Sequence, residues 1–208
     1  MSEMTVDVLR VTGNATIPSG GLSPQPRSFL AQDANKVFPI PMTDLRVWDA
    51  FQTDLPGTAA ADDLALIGGT FATAPPMIQS GDVKALGATT RYARVQVVIP
   101  ECYDAGETLS IVLTAGMKTT IADVSCTVDV ECYRADKLSA ISADLCATAA
   151  QSINSTTFAA KTFSITPATL TAGDILDVRI TIASNDAATA TAVTPSIAGV
   201  DLTCDIRG

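Results

Sequence analysis

VSCTVDVECY, residues 124–133, alternates without a break between apolar and polar side chains. Val124, Cys126, Val128, Val130 and Cys132 fall on one side, and Ser125, Thr127, Asp129, Glu131 and Tyr133 on the other. Successive side chains of a strand point to opposite faces of its sheet. The stretch therefore reads as a strand with one dry face and one wet face, the pattern of an antiparallel sheet packed on one side only. Val124, Cys126, Val128, Val130 and Cys132 are the predicted buried core strand. A one-residue slip would invert every one of them.

The same alternation recurs on both sides of this stretch, at Val6–Val11, Tyr92–Ile99, Leu109–Leu113, Leu176–Ile182 and Val200–Ile206, and Thr157–Ile165 reads as a further strand. Turn-forming residues separate these runs at 104–106, 172–174, 185–186 and 198–199. Roughly eight to ten short strands with such punctuation predict an all-β chain, an antiparallel β-sandwich of jelly-roll-like topology.

An internal echo supports this reading. PECYDAGETLSIVL (100–113) and PATLTAGDILDVRI (167–180) both fit P-x4-A-G-[DE]-x-L-x-[IV]-x-[LI]. In each copy Pro ends one strand, Gly106 or Gly173 supplies a positive φ, and an acidic residue opens the next strand. Residues 43–55 carry both helical and alternating periods between Pro41 and Pro56. They are read as a strand, with Trp48 as a core residue because of the area it can bury.

Residues 13–41 break the pattern. They are rich in Gly, Pro and Ser, yet carry Phe29, Leu30, Val37, Phe38 and Ile40. The expected organisation is an N-terminal strand plus an extended arm (1–41), followed by a β-sandwich domain (42–208). Those five apolar residues are candidate interface contacts, through which the arm docks on a neighbouring subunit.

Composition narrows the function. A chain of 208 residues forms one ordinary domain, and 47% hydrophobic residues suffice for a core. Thirteen basic against 22 acidic residues give a net charge of −9, a poor match for nucleic acid or anionic lipid. Histidine is absent, which excludes His-dependent triads, His-ligated zinc and the usual proton carrier near neutral pH. The five cysteines, Cys102, Cys126, Cys132, Cys146 and Cys204, contain no CxxC pair and read as free thiols in a reducing compartment. The opening MSEMTVDVLRVTG alternates rather than resembling a signal peptide, and the apolar run Val95–Ile99 is far too short to span a bilayer.

The local carboxylate pairs Asp62/Asp63, Asp174/Asp177 and Asp201/Asp205 read as solvated surface rather than a glycosidase dyad. Arg91-Tyr92-Ala93-Arg94 reads as outward side chains of an edge-proximal strand, paired with carboxylates. The expectation is a protein that is not an enzyme, with no catalytic residues, no metal ligands and no cofactor.

LRVWDAFQTDLPGTAAADDLALIGGTF (45–71), TTRYARVQVVIPECYDAGETLSIVLTAGM (89–117), SADLCATAAQSIN (142–154) and LTAGDILDVRITIA (170–183) give the chain a resemblance to a known group. It resembles the capsid decoration, or cement, proteins of tailed bacteriophages. The resemblance implies a jelly-roll-like virion protein that sits on the capsid exterior and stabilises contacts between capsomers of the major capsid protein. It also implies assembly in the host bacterial cytoplasm and action as a homo-oligomer, with a trimer favoured over a dimer. Two alternatives stay open: a tail, baseplate or head-fibre component that binds host glycan, and a carbohydrate-binding module or glycan-active enzyme.

Overall fold

The computed structural model describes residues 34–84, 87–135, 140–187 and 191–206. Among these residues the strands are β1 (Ala34–Pro39), β2 (Ala65–Ile67), β3 (Met77–Gln79), β4 (Gly87–Val98), β5 (Leu109–Met117), β6 (Ser125–Ala135), β7 (Gln151–Ser152), β8 (Ala159–Ile165), β9 (Ile175–Asp186) and β10 (Pro195–Ile206). One sheet runs β2-β3-β10-β5-β8, with β1 also paired to β10, and the other runs β4-β9-β6-β7.

The strand-to-strand pairings are antiparallel, and four of them nest: β3 with β10, β4 with β9, β5 with β8, and β6 with β7. This is one long hairpin, four strand pairs deep, rolled up so that alternate pairs fall in opposite sheets. That wiring is a jelly roll, and the predicted fold class stands.

The core lies between the sheets. Ile111 and Leu113 of β5, Val178 and Ile180 of β9, and Phe163 of β8 are fully buried there. On β6, Cys126, Val128, Val130 and Cys132 share the inward face as the alternation requires. Val124 does not join them. It lies before the first β6–β9 pair, Ser125–Asn185, and is 53% exposed.

The two echoed segments are equivalent corners. Tyr103 N–H donates to Pro100 O, and Leu170 N–H to Pro167 O, both at 2.9 Å. Glu107 N–H donates to Asp104 O, and Asp174 N–H to Thr171 O, both at 3.1 Å. Tyr103 and Leu170 are both buried, and Gly106 and Gly173 adopt φ of 91° and 82°. One corner carries the chain from β4 to β5, the other from β8 to β9, so each crosses between the sheets. They lie side by side, because Ile99 N–H donates to Asp174 O and Gly173 N–H donates to Ile99 O, each at 2.9 Å. The sequence echo thus marks two corners of the same local geometry, each of which carries the chain from one sheet to the other.

The arm enters the described residues at Ala34, so Val6–Val11, Phe29 and Leu30 lie outside them. From there β1 pairs with β10 of its own chain over six positions, Ala34–Ile206 to Pro39–Asp201. Phe38 is opposite Leu202 and half-buried against the core, and Ile40 is buried. These two candidate contacts are therefore seated in the chain's own sandwich; Val37, on the other side of the strand, stays 55% exposed.

Residues 43–55 form neither the predicted strand nor a helix. A 3-10 turn (Met42–Asp44) leads into extended backbone in which Arg46 N–H donates to Arg94 O at 2.7 Å and Arg94 N–H returns to Arg46 O at 3.0 Å. The two prolines confine the segment: Arg46 finds its backbone partner on the free edge of β4, and the segment turns back on itself through Val47 N–H to Thr53 O at 3.0 Å and an Arg46–Asp54 bridge.

Candidate functional site

The outward positions of β4, β9 and β6 form a ladder on the wet face of the smaller sheet. Arg94, Arg179 and Glu131 share one row, and Gln96, Asp177 and Tyr133 share the next. Tyr92, Thr181 and Asp129 share the row on the other side. These side chains are what the polar half of the alternation delivers once three strands are laid together.

Arg94 stands opposite Arg179, and each finds a carboxylate. The Arg94 guanidinium grips both oxygens of Asp177, with Nε to Oδ1 at 2.6 Å, and Arg179 pairs with Glu131. Asp177 is buried under this pair. Its hydrogen bond holds the Arg94 guanidinium above the ordinary arginine value, against the opposing effect of burial.

The loop before β2 supplies aromatic walls. Two backbone clamps fix it along the edge of β4: Arg46 on Arg94, and, farther on, Tyr92 N–H to Asp62 O (2.7 Å) with Leu64 N–H to Tyr92 O (2.9 Å). Between the clamps Trp48 turns onto the outer face. Its ring centroid lies 5.0 Å from that of Tyr92, tilted by 50°, and its Nε1–H donates to Asp62 Oδ2 at 2.9 Å. Trp48 is therefore half-buried on the surface and not a core residue, because its one donor has a partner only on that side. The Arg179 guanidinium lies 5.0 Å from the Tyr92 ring and 5.5 Å from the Trp48 ring, and Arg94 lies 5.0 Å from Phe51.

The result is a depression of about 390 Å³ with Trp48 and Asp49 on one rim, Ile141 on the other, and Arg94, Asp177 and Tyr133 between them. Beside Trp48, the Asp63 carboxyl is pushed above its usual range, by burial first and then by the charges of Asp62 and Asp49. Among the described residues no group of three or more His, Cys, Asp or Glu side chains is placed to hold a metal ion.

The predicted placement of Arg91–Arg94 holds in part: β4 is an edge strand and Arg94 faces out to a carboxylate, whereas Ala93 is buried and the Arg91 Nε–H donates to Ala61 O at 3.2 Å. Sequence reasoning missed the assembly of Trp48, Tyr92, Arg94, Asp177, Arg179 and Glu131. The available signal was that five of the six are outward residues of alternating strands, but nothing in the alternation said which strands would be neighbours.

A second feature lies on the larger sheet. β5 occupies one side of β10 along Pro195–Cys204, so β1 and the β2–β3 hairpin share the other side. The β2–β3 loop is braced internally: Thr73 N–H and Ala74 N–H both donate to Thr70 O, at 2.9 and 3.1 Å. A Cβ on Gly69 would overlap the Ala74 carbonyl, so the turn closes only around glycine. This closed turn holds Phe71 97% exposed.

The chain matches no family model, and no curated protein is similar to it in sequence. Among solved structures it is similar to the CBM22-1 xylan-binding domain of Paenibacillus barcinonensis Xyn10C, with 12% identity over 70% of this chain and 82% of that one, and a TM-score of 0.37. A structure of carbohydrate-binding modules from the β-sandwich superfamily is 9% identical over 81% of this chain and 56% of that one, at a TM-score of 0.41. A structure of infectious bursal disease virus, Gx strain, is 16% identical over 96% of this chain and 40% of that one, at 0.39. Likeness at these scores carries no residue correspondence, and the jelly roll stands on its own strand order.

Proposed function

We propose that this chain is a structural protein of a virion exterior, a decoration protein that adheres to the major capsid protein and to copies of itself. The observation that carries the reading is the β10 flank, where an edge strand and an exposed phenylalanine are presented together. Among the described residues β1 is paired on one side only, and its free edge offers backbone groups to an added strand. On the hairpin that shares this side of β10, Phe71 stands in water on a turn built to keep it there. A phenylalanine fully withdrawn from water contributes about 1.5–3 kcal/mol, which this loop leaves for a partner to recover. A cement needs a rigid scaffold and adhesive patches. Several copies around a symmetry axis then multiply weak contacts through effective concentration.

Shell attachment tests this. Purified protein should co-sediment with parent particles stripped of it and restore their resistance to heat, since a ligand of the assembled shell stabilises it by linkage. Phe71→Ser and Val37→Asp should each weaken attachment by about tenfold or more without moving the unfolding midpoint. Equal heat tolerance with and without the chain, or an electron-microscopy map placing it on a tail or fibre, would overturn the reading.

A further inference from the structure

We propose that the outer-face depression of the smaller sheet is a binding site for a neutral oligosaccharide, separate from the adhesive β10 flank. Three observations converge on that ligand.

First, aromatic residues are scarce, with one Trp, three Tyr and six Phe in the whole chain. Yet Trp48, Phe51, Tyr92 and Tyr133 gather around this one face, outside the core. A pyranose ring presents an apolar C–H face and a rim of hydroxyls. Half-exposed aromatic rings suit the first, and a ligand pocket of a few hundred Å³ suits one or two such rings.

Second, the polar groups beside the aromatics are planar and rigidly held. Arg94 and Asp177 are locked to each other, Arg179 is locked to Glu131, and the Gln96 amide lies within 3.5 Å of Asp177. Fixed donors and acceptors bind hydroxyls with little further loss of side-chain freedom.

Third, the charge balance selects among ligands. Both guanidinium groups are already neutralised, and Asp49 and Asp62 add further negative charge at the Trp48 rim. A phosphate, sulfate or sialic acid would meet a net negative surface whose two lining arginines, among the described residues, already have carboxylate partners. A neutral sugar meets no such repulsion. The rings' own cationic contact is likewise taken by Arg179, which leaves little for a quaternary ammonium.

Trp48 is the sole tryptophan, so its fluorescence reports on this site alone. The full-length protein is titrated with neutral gluco-, manno-, galacto- and N-acetylglucosamine oligosaccharides, and with sialylated and sulfated counterparts. The expected result is a saturable change in emission with at least one neutral series and none with the anionic ones. Tyr133→Ala should weaken that binding about tenfold. Trp48→Phe, read by calorimetry, should weaken it with the unfolding midpoint checked in parallel. No saturable change with any neutral series at millimolar sugar would overturn the proposal. So would stronger binding of the anionic glycans, or undiminished binding by both variants. Shell attachment through Val37 and Phe71 is read separately, so failure here leaves the decoration reading intact, and the reverse.

Discussion

Arg94 of β4 and Arg179 of β9 stand directly opposite one another in the smaller sheet. Like charges so placed destabilise a sheet unless something intervenes. Here Asp177, two residues along β9 from Arg179, takes Arg94, while Glu131 takes Arg179 from across β6. The two carboxylates make the arginine pair tolerable, and the four charges act as one unit.

Removing one carboxylate should therefore cost more than removing a whole ion pair. Asp177→Asn is expected to destabilise by about 1.5–3 kcal/mol, since it leaves Arg94 facing Arg179 over a part-buried site. Adding Arg94→Gln should recover part of that loss. Urea unfolding of the double-mutant cycle measures the coupling, and additive effects would contradict it.

Asp63 should make stability fall with rising pH. Burial, Asp62 and Asp49 raise its folded-state pKa above the ordinary value near 3.8, so the folded state holds the proton more tightly than the unfolded state. Its unfavourable contribution appears as pH rises from that value through the raised one, and persists above it. Asp63→Asn is expected to stabilise the protein at neutral pH by less than about 1 kcal/mol, the site being partly solvated. The gain should vanish in acid, where both forms are uncharged; denaturant midpoints at the two pH values check the sign.

The corner glycines should resist substitution for a backbone reason. Gly106 has a φ of 91° with open space where a Cβ would sit, and Gly173 has 82° with only Glu101 Oε1 nearby, at 3.5 Å. Gly106→Ala and Gly173→Ala are each expected to cost about 1–2 kcal/mol by thermal unfolding. Gly57→Ala, with equal room and no positive φ, should be near neutral.

Thiol reactivity should follow depth. Burial pushes the Cys126 thiol up to about 11 and the Cys132 thiol higher still. Neither should react with iodoacetamide in the native protein at mild alkaline pH, whereas the half-buried Cys102 and Cys146 should be modified first. Peptide mapping distinguishes the sites, and all five should react in denaturant.

The limit of the inward face of β6 is also measurable. Val130→Ala removes two buried methyl groups and should cost about 2 kcal/mol. Val124→Ala, one alternation step beyond the pairing, should change the urea midpoint by less than about 0.5 kcal/mol equivalent.

The longer strands β4, β5, β6, β8, β9 and β10 were legible because alternation is a local property, whereas β1, β2, β3 and β7 carry too little of it to be read. Val128 and Asp129 must face opposite sides of any sheet that contains them, whatever else the chain does. The corners at Gly106 and Gly173 were legible for a similar reason, since a tight turn needs its glycine within the same few residues. Val124 and Trp48 were misread where local pattern met a long-range fact: the sheet ends before the one, and a loop edge carries the other outward.

What only the tertiary structure decided is which strands lie side by side. Arg94 and Asp177 are 83 residues apart, and period-two patterning assigns each to an outer face without naming its neighbour. The order β4-β9-β6 brings them together because the long hairpin rolls up as a unit. Phe71 likewise becomes prominent only because the β2–β3 turn closes on itself at the rim of β10. Amino-acid sequence set the faces through local sterics and hydrophobicity, and the neighbours across each face were set by the non-local packing of two sheets around one core.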